Sequence, residues 1–156
     1  MANLTDAQAR LGWHIFNWIG IINQLATNRA ERSLAELKLP MPQFVLLNHF
    51  SFRPHEAKTV TAVASAMQQP QPGITKTIQK LVARKLLKAE PSPDDKRSKL
   101  LTITPKGLEV HQKARMLFVP LFAEVYDGWT DDDMQQLIER LDKMKVWLDT
   151  KGREPF

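Results

Sequence analysis

The sequence predicts a mainly α protein with one small β-hairpin. Several segments place apolar residues at the three- and four-residue spacing of amphipathic helices, and prolines or capping residues separate these segments. Two short apolar stretches within residues 86–103 flank the polar turn PSPDDKR, which is the pattern of a hairpin. Nine of the charged residues from Lys76 to Lys106 are basic and three are acidic. A surface with this bias suits a phosphate backbone.

The composition fits one basic domain. The chain has 156 residues, a net charge of +5 and a pI near 9.6, which point to nucleic acid or another anionic surface. Acidic residues dominate from Asp127 onward, so the basic excess lies in the middle of the chain. The lack of cysteine excludes disulfides and favours an intracellular, cytoplasmic protein. No apolar run of about twenty residues and no secretory pattern occur, so no membrane association is expected.

The first helix is expected from Thr5 to about Leu37, with Thr5 or Asp6 as its cap. Its apolar residues lie on several faces of the helix: Leu4, Leu11, Trp13, Ile15, Phe16, Trp18, Ile19, Ile21, Ile22 and Leu25. A helix that is apolar around most of its circumference must be covered on several sides. We therefore expect a second subunit to pack against it.

Two short helices should follow. The first spans Gln43 to Phe52, with Pro42 in its first turn. Its inward residues are Phe44, Leu47 and Phe50. The second starts at Thr59, and its buried face carries Val60, Val63, Ala64 and Met67.

The turn QQPQPG leads into a basic amphipathic helix. Its expected buried stripe is Ile74, Ile78, Leu81 and Val82, and its outer side carries Thr75, Lys76, Gln79 and Lys80. Two short helices joined by a tight turn, the second basic on its outer side, form a helix-turn-helix. The second is then the recognition helix.

The hairpin and a long helix complete this part of the chain. Leu86–Ala89 and Lys99–Ile103 are the expected strands. A helix should begin at Thr104 and run to about Tyr126, with a kink at Pro120.

The last helix should begin at a capping box. Thr130 is followed three residues later by Asp133, within a run of acids that the helix dipole favours. Its apolar stripe is Met134, Leu137, Ile138, Leu141, Met144 and Leu148.

These residues together resemble the MarR family of dimeric winged helix-turn-helix transcriptional regulators, over nearly the whole chain. The family's wing pattern is Asp-x-Arg, a short gap and Leu-Thr-x-x-Gly, which here reads Asp95-Lys96-Arg97 and Ile103-Thr104-Pro105-Lys106-Gly107. Its Thr-x-x-Glu-Leu-Ala-x-x-Leu pattern maps onto Thr59, Ala62, Val63, Ala64 and Met67. The segment WTDDDMQQLIERLDKM resembles the family's C-terminal dimerisation helix.

The chain departs from the family pattern at three places. Ala89 and Glu90 stand where an arginine is common before the wing, which removes basic charge near the DNA. The other two departures lie at the ends of the recognition helix. Leu86 stands where a glycine usually ends the recognition helix, and a left-handed leucine would cost roughly 1 kcal/mol or more. Pro70 stands where a serine or threonine usually caps that helix. Both ends of the recognition helix are therefore expected to differ from the family.

The resemblance implies one MarR-like domain over residues 1–156. Residues 1–38 and 107–156 would form its dimerisation helices, and residues 41–106 its DNA-binding lobe. It also implies a homodimer that binds a palindromic operator on double-stranded DNA as a ligand-responsive repressor.

DNA contacts are expected from the recognition helix and from the wing. The candidate residues are Gln71, Thr75, Lys76, Gln79, Lys80, Lys96, Arg97 and Lys99. On the helix, amides and hydroxyls can read base edges, whereas lysines meet phosphate. For Arg97, ordinary solubility charge is the alternative reading. Asp95 is expected to fix the wing loop rather than touch DNA, since a carboxylate repels phosphate.

An effector pocket commonly lies in this family where the dimer helices meet the DNA-binding lobe, and its ligands are often aromatic or anionic. The candidate residues here are Trp13, His14, Phe16, Phe44 and Asn48. The alternative is that these aromatic residues simply form core.

The sequence contains no catalytic constellation, and no cofactor is expected. Cysteine, glycine-rich phosphate loops and paired motif carboxylates are all absent, so the chain is not expected to be an enzyme. The histidines His14, His49, His55 and His111 are scattered without ligand spacing, so no metal site is expected. The rival function is a helical protein–protein adaptor, which explains the apolar first helix but not the basic wing.

Overall fold

The computed structural model describes residues 4–93 and 98–151 and confirms a mainly α fold with a small antiparallel sheet. The chain divides into two compact units, Met1–Phe118 and Val119–Phe156. The helices of the first unit are α1 (Asp6–Leu34), α2 (Met41–Ser51), α3 (Val60–Ala66), α4 (Gln71–Ala83) and α5 (Pro105–Met116). Its strands are β1 (Lys58–Thr59), β2 (Leu87–Pro91) and β3 (Lys99–Ile103). The second unit contains α6 (Val119–Val125) and α7 (Asp131–Thr150).

Thr5 caps α1, one of the two caps that the sequence allowed. Its side chain accepts the backbone N–H of Gln8 at 3.2 Å, and the Gln8 side chain accepts the backbone N–H of Thr5 at 3.0 Å. The helix ends at Leu34, earlier than expected, and a 3₁₀ turn over Ala35–Leu37 follows it. Among its described residues only Ala30 and Leu34 are buried, so most of its apolar surface faces outward.

Helices α2, α3 and α4 pack around one apolar core. Helix α2 begins two residues earlier than expected and has Pro42 in its first turn. Thr59 caps α3, because its hydroxyl accepts the backbone N–H of Ala62 at 3.1 Å. The core brings together Leu34, Leu46, Leu47, Phe50, Val63, Ile74, Ile78, Leu81, Leu87 and Leu101. The expected stripe of α4 is thus confirmed, with Val82 half-buried at its edge.

The sheet has three strands in the order β1-β3-β2, whereas the sequence predicted only the hairpin. In the hairpin, Leu87 pairs with Ile103 and Pro91 with Lys99. The unexpected strand β1 pairs Lys58 with Leu101. Because β1 has only two residues, it cannot show the alternation of apolar and polar residues by which a sequence indicates a strand.

A left-handed residue ends α4, but it is Lys85 rather than Leu86. Lys85 has φ of 59°, its N–H donates to the Val82 carbonyl at 2.8 Å, and the Leu86 N–H donates to the Leu81 carbonyl at 2.9 Å. These two bonds form a Schellman motif. Leu86 therefore does not need a positive φ, and it buries its side chain, which is 1% exposed. Lys38 and Gln68 end two earlier helical segments in the same left-handed conformation.

The other end of α4 has no side-chain cap, as the departure at Pro70 implied. The Pro70 carbonyl accepts the N–H groups of Gly73 at 3.1 Å and Ile74 at 3.4 Å. Pro72 lies in the first turn, where a helix needs no N–H donor.

Helix α5 starts against the end of α4. The Thr104 hydroxyl accepts the Gly107 N–H at 2.9 Å and donates to the Lys85 carbonyl at 2.8 Å. A Cβ atom on Gly107 would overlap the Leu86 carbonyl oxygen. Glycine is thus required at this position by close packing against backbone, which explains the Thr-x-x-Gly spacing.

The long helix expected from Thr104 to Tyr126 is broken rather than kinked. Helix α5 ends at Met116, and α6 starts at Val119. Pro120 has no N–H for the Met116 carbonyl, and its ring suits the first turn of a new helix. Two helices result.

In the second unit, the expected capping box of α7 is present. The Thr130 hydroxyl accepts the Asp133 N–H at 3.2 Å, and the Asp133 carboxylate accepts the Thr130 N–H at 3.0 Å. Large apolar side chains such as Ile138, Leu141 and Trp147 are exposed. None of the helices in the described part of the chain has the length and apolarity needed to cross a membrane.

We expect Lys85→Gly to raise the free energy of unfolding by about 1 kcal/mol, because glycine adopts the left-handed conformation without a Cβ clash. The matched control is Lys80→Gly, an exposed lysine inside α4, which should lower the free energy of unfolding by about 1 kcal/mol. Urea denaturation of both variants measures the difference. A Lys85→Gly variant that is no more stable than the wild type would contradict the expectation.

Candidate nucleic-acid interface

Helix α4 presents a polar face opposite its buried stripe. Gln71, Thr75 and Gln79 follow one another at four-residue spacing, which places them on one side of the helix. Thr75 is half-buried, and the two glutamines are exposed. Lys76 and Lys80 are also exposed and lie next to this row. The helix core packing therefore fixes which side chains face outward.

The polar groups of this face differ in their freedom to bind. The Thr75 hydroxyl donates its proton to the Gln71 carbonyl at 2.8 Å. Within residues 4–93 and 98–151, the Gln79 amide has no hydrogen-bond partner, and no carboxylate forms an ion pair with Lys76 or Lys80. The amide and both ammonium groups can therefore bind an external ligand without first breaking a hydrogen bond or an ion pair to these residues.

A groove of about 720 Å³ lies between α4, the start of α3 and the sheet. Its polar lining includes Gln71, Thr75 and Gln79 from the helix and Lys99 from β3. Its apolar lining includes Val60, Ile78, Val82, Ala89 and Leu101. The structure thereby brings the helix candidates and one wing candidate to the same surface. A second open groove, on the other flank, is lined by Gln71, Pro72, Thr75, Lys76 and Gln79.

The remaining wing candidates, Lys96 and Arg97, lie outside the described residues, as does Asp95. The hairpin that carries them is closed by a bond from the Ser92 N–H to the Ser98 carbonyl at 3.0 Å. On β2, Lys88 forms an exposed ion pair with Glu90 at 2.8 Å, which offsets its charge locally.

The five effector candidates fall into two separate places. Trp13 and His14 line an open groove on α1 with Ala9, Arg10 and Asn17. Phe16 is exposed on the same helix. Trp13 lies about 25 Å along α1 from Ala30, the first buried residue, since each helical residue rises about 1.5 Å.

Phe44 and Asn48 instead surround His111, which the sequence did not single out. The His111 Nε2 atom lies 3.0 Å from the Asn48 Oδ1 atom and 3.4 Å from the Ser51 hydroxyl. The Phe44 ring stacks on His111, with 5.8 Å between ring centroids. Because the Asn48 Oδ1 atom can only accept, the His111 Nε2 atom donates in this contact. The signal in the sequence was the buried stripe of α5, on which His111 is the one polar member.

Burial lowers the pKa of His111 from 6.5, and the nearby Arg115 charge lowers it further. The pKa of His49 is lowered as well. Burial lowers its pKa, the Lys58 charge lowers it further, and Glu56 acts against both. The Lys58 ammonium lies 3.3 Å from His49 Nε2, so a neutral imidazole can accept a hydrogen bond from it. Both histidines are therefore held neutral by their surroundings.

In the described part of the chain, no group of three or more His, Asp or Glu residues could hold a metal ion.

The chain was compared with known proteins. Residues 37–98 match a family model described as MarR family. The chain is 28% identical over 102 residues, 65% of its length, to uncharacterized HTH-type transcriptional regulators of Staphylococcus aureus strains Mu50 and N315, and covers 68% of each. These relatives are regulators and not enzymes.

Solved structures share the fold over most of the chain. A Staphylococcus aureus MarR in complex with salicylate and kanamycin is 25% identical, with a TM-score of 0.77 over 89% of this chain and 93% of that one. The transcriptional regulator BldR from Sulfolobus solfataricus is 24% identical, with a TM-score of 0.74 over 92% and 99% of the two chains. The apo form of wild-type MarR from E. coli is 22% identical, with a TM-score of 0.70 over 82% and 93%.

Acid should destabilise the fold below about pH 6.5, the pKa of histidine in the unfolded chain. Above that pH both states are neutral at His111. Below it, the unfolded chain binds the proton first, so the free energy of unfolding falls until the lowered folded-state pKa is passed.

His111→Gln keeps a donor for Asn48 Oδ1 and removes the titration. Its decline in the free energy of unfolding between pH 7.5 and pH 5.5 should therefore be shallower than in the wild type, as measured by urea denaturation. Parallel declines in the two proteins would show that His111 does not carry this pH dependence.

Proposed function

We propose that the chain, whose residues 37–98 match the MarR family model, is a winged helix-turn-helix regulator that binds a palindromic operator on double-stranded DNA as a homodimer and acts as a ligand-responsive repressor. The observation that carries the proposal is the outer face of α4, where Gln79 shares a groove with Lys99 of β3 and where Lys76 and Lys80 are exposed. A repressor of transcription acts where the DNA is, in the cytoplasm.

Helix α4 has the dimensions and chemistry of a recognition helix. Its 13 residues span about 20 Å, and the major groove of B-DNA admits one α-helix. The Gln79 amide can pair bidentately with adenine, whereas Lys76 and Lys80 suit phosphate. Lys99 would contact the flanking phosphate backbone, and we propose the same role for Lys96 and Arg97, which precede it in the sequence.

The homodimer is proposed from α1. Its large apolar side chains are exposed in the single chain, among them Trp13 at 75% and Phe16 at 63%. Exposed apolar surface of this extent marks an interaction site. We propose that residues 1–38 and 107–156 form the dimer contacts and that residues 41–106 form the DNA-binding lobe.

We propose that the dimer also binds a small-molecule effector. Salicylate and kanamycin are bound in one structurally similar relative. An aromatic or anionic effector would act by changing the separation of the two lobes of the dimer. Trp13, His14 and Phe16 on α1, and Phe44 and Asn48 near His111, are the proposed contacts. Their separation within one chain means that an effector touching both groups would need residues of two chains.

A protein–protein adaptor accounts for the exposed face of α1 but gives no role to the α4 face. DNA affinity that falls steeply with salt supports the regulator, because phosphate contacts release counterions. Absence of such binding would support the adaptor.

The roles of the α4 side chains can be separated by measurement. Lys80→Ala should weaken binding equally across operator variants and reduce the salt slope by about one unit. Gln79→Ala should relax the preference at one base pair, with a cost of roughly 1–3 kcal/mol there. The assay is competition over all single-base operator variants at two salt concentrations.

The matched control is Lys113→Ala on α5, whose lysine pairs with Glu109 at 2.7 Å. It removes one positive charge away from α4 and should leave affinity and salt slope unchanged. A Gln79→Ala variant with an unaltered preference profile would move base reading to Thr75 or Gln71.

The dimer proposal predicts that Ile22→Glu yields monomers or unfolded chain, because it buries a charge in the apolar face of α1. The control Gln24→Glu adds the same charge to the same helix at a polar, exposed position and should remain dimeric. Sedimentation at micromolar concentration reports the mass. A folded wild-type monomer under these conditions would contradict the proposal.

A further inference from the structure

Arg84 joins the end of α4 to the segment between α1 and α2. Its Nη1 atom donates to the Lys38 carbonyl at 2.8 Å and to the Gln43 side-chain oxygen at 2.8 Å. Its Nη2 atom donates to the Leu37 carbonyl at 3.3 Å. One guanidinium thus holds the turn that ends the α1 segment and the first turn of α2.

The chemistry of this contact is specific to arginine. The carbonyls of Leu37 and Lys38 come at the end of a helical segment, where backbone oxygens lack intrahelical donors and carry partial negative charge. The planar fork of a guanidinium can meet several such oxygens at once, whereas a lysine ammonium acts as a compact point charge. Gln43 is 6% exposed, so loss of Arg84 leaves a buried amide oxygen without this donor.

The residues at the end of α4, Arg84, Lys85 and Leu86, also form hydrogen bonds to α5 and to its capping residue Thr104. The Arg84 carbonyl accepts from the Lys106 ammonium at 3.4 Å, and the Leu86 carbonyl accepts the Thr104 N–H at 3.1 Å. With the Thr104 hydroxyl on the Lys85 carbonyl, the end of α4 is held on both sides. The α1 side differs, because among residues 4–93 and 98–151 the hydrogen bonds from the end of α4 to the Leu37–Gln43 segment all come from the Arg84 side chain.

We propose that Arg84 is a positioning residue that sets the orientation of α4 relative to α1. This inference rests on the proposed function, in which α1 belongs to the dimer contacts and α4 enters the DNA. In the homodimer, Arg84 then fixes the separation of the two recognition helices and so determines which half-site spacing is accepted.

The length of α1 makes this orientation matter. Its 29 residues extend about 43 Å. A tilt of about 5° at one end displaces the other by about 4 Å, which is close to the rise of one base pair along DNA. Without the Arg84 contact, a tilt of this size would change the separation of the two recognition helices by about one base pair.

The experiment compares operators whose half-sites are one base pair closer, equal to, or one base pair farther than the preferred spacing. The wild type should prefer one spacing by about 10-fold or more, and Arg84→Ala should reduce that preference to less than about 3-fold. Arg84→Lys should behave like Arg84→Ala, since charge alone does not restore the fork. Lys80→Ala should bind all three operators more weakly and keep the wild-type preference.

Sedimentation must show that both Arg84 variants remain dimers. If Arg84→Ala does not fold, the operator-spacing preference of Arg84→Lys tests the proposal instead. Retention of the wild-type spacing preference by a folded Arg84 variant would overturn the inference.

A second readout needs no DNA. Since the chain has no cysteine, Glu31→Cys on α1 and Lys80→Cys on α4 give a single pair of labelling sites, both exposed. The doubly labelled chain is mixed with an excess of unlabelled chain, so that each labelled dimer contains only one labelled chain. Arg84→Ala should broaden the measured distance distribution between the two labels.

The two readouts separate the two claims. A wild type that binds no DNA refutes the proposed function, and the label distances still test the Arg84 contact. Distances that are equally narrow in wild type and Arg84→Ala refute the positioning role whether or not DNA is bound.

Discussion

The first unit depends on one close contact between backbones, where Gly107 passes the Leu86 carbonyl oxygen. At this point α4 has just ended, β2 is about to begin, and α5 has just started from β3. The pairing of Leu87 with Ile103 follows directly from it, and so does the register of the hairpin. Thr104 completes the contact by capping α5 and donating to the Lys85 carbonyl. A side chain at residue 107 would separate these elements, because backbone, unlike a flexible side chain, cannot move aside.

Local signals predicted most of the elements. The stripe of Ile74, Ile78 and Leu81 predicted both the burial of α4 and the outward direction of its polar side chains. Capping residues predicted the starts of α1, α3 and α7. Stripes and caps depend only on residues within four positions of one another, so a single sequence is enough to predict them.

The features that the sequence did not predict depend on residues far apart in the chain. Strand β1 exists because β3 pairs with it, and no pattern within two residues could show that. The contact of His111 with Asn48 spans 63 positions. In the candidate site, the helix residues were predicted, but the groove they share with Lys99 requires the packing of α3 and the sheet. At Pro120 the sequence predicted a kink in one helix, whereas the structure has two helices there, because the proline ring favours the first turn of a new helix as well as lacking an N–H.

The left-handed residues Lys38, Gln68 and Lys85 have a consequence for how this protein can evolve. None is glycine, so each helical segment ends in a backbone conformation that its own residue disfavours. Replacement of any of them by glycine would relieve this backbone cost. Changes to the outer face of α4 that alter sequence preference at the expense of stability could thus be compensated elsewhere in the lobe. Glutamine and lysine codons each differ from glycine codons at two bases, so such compensation would have to pass through an intermediate residue.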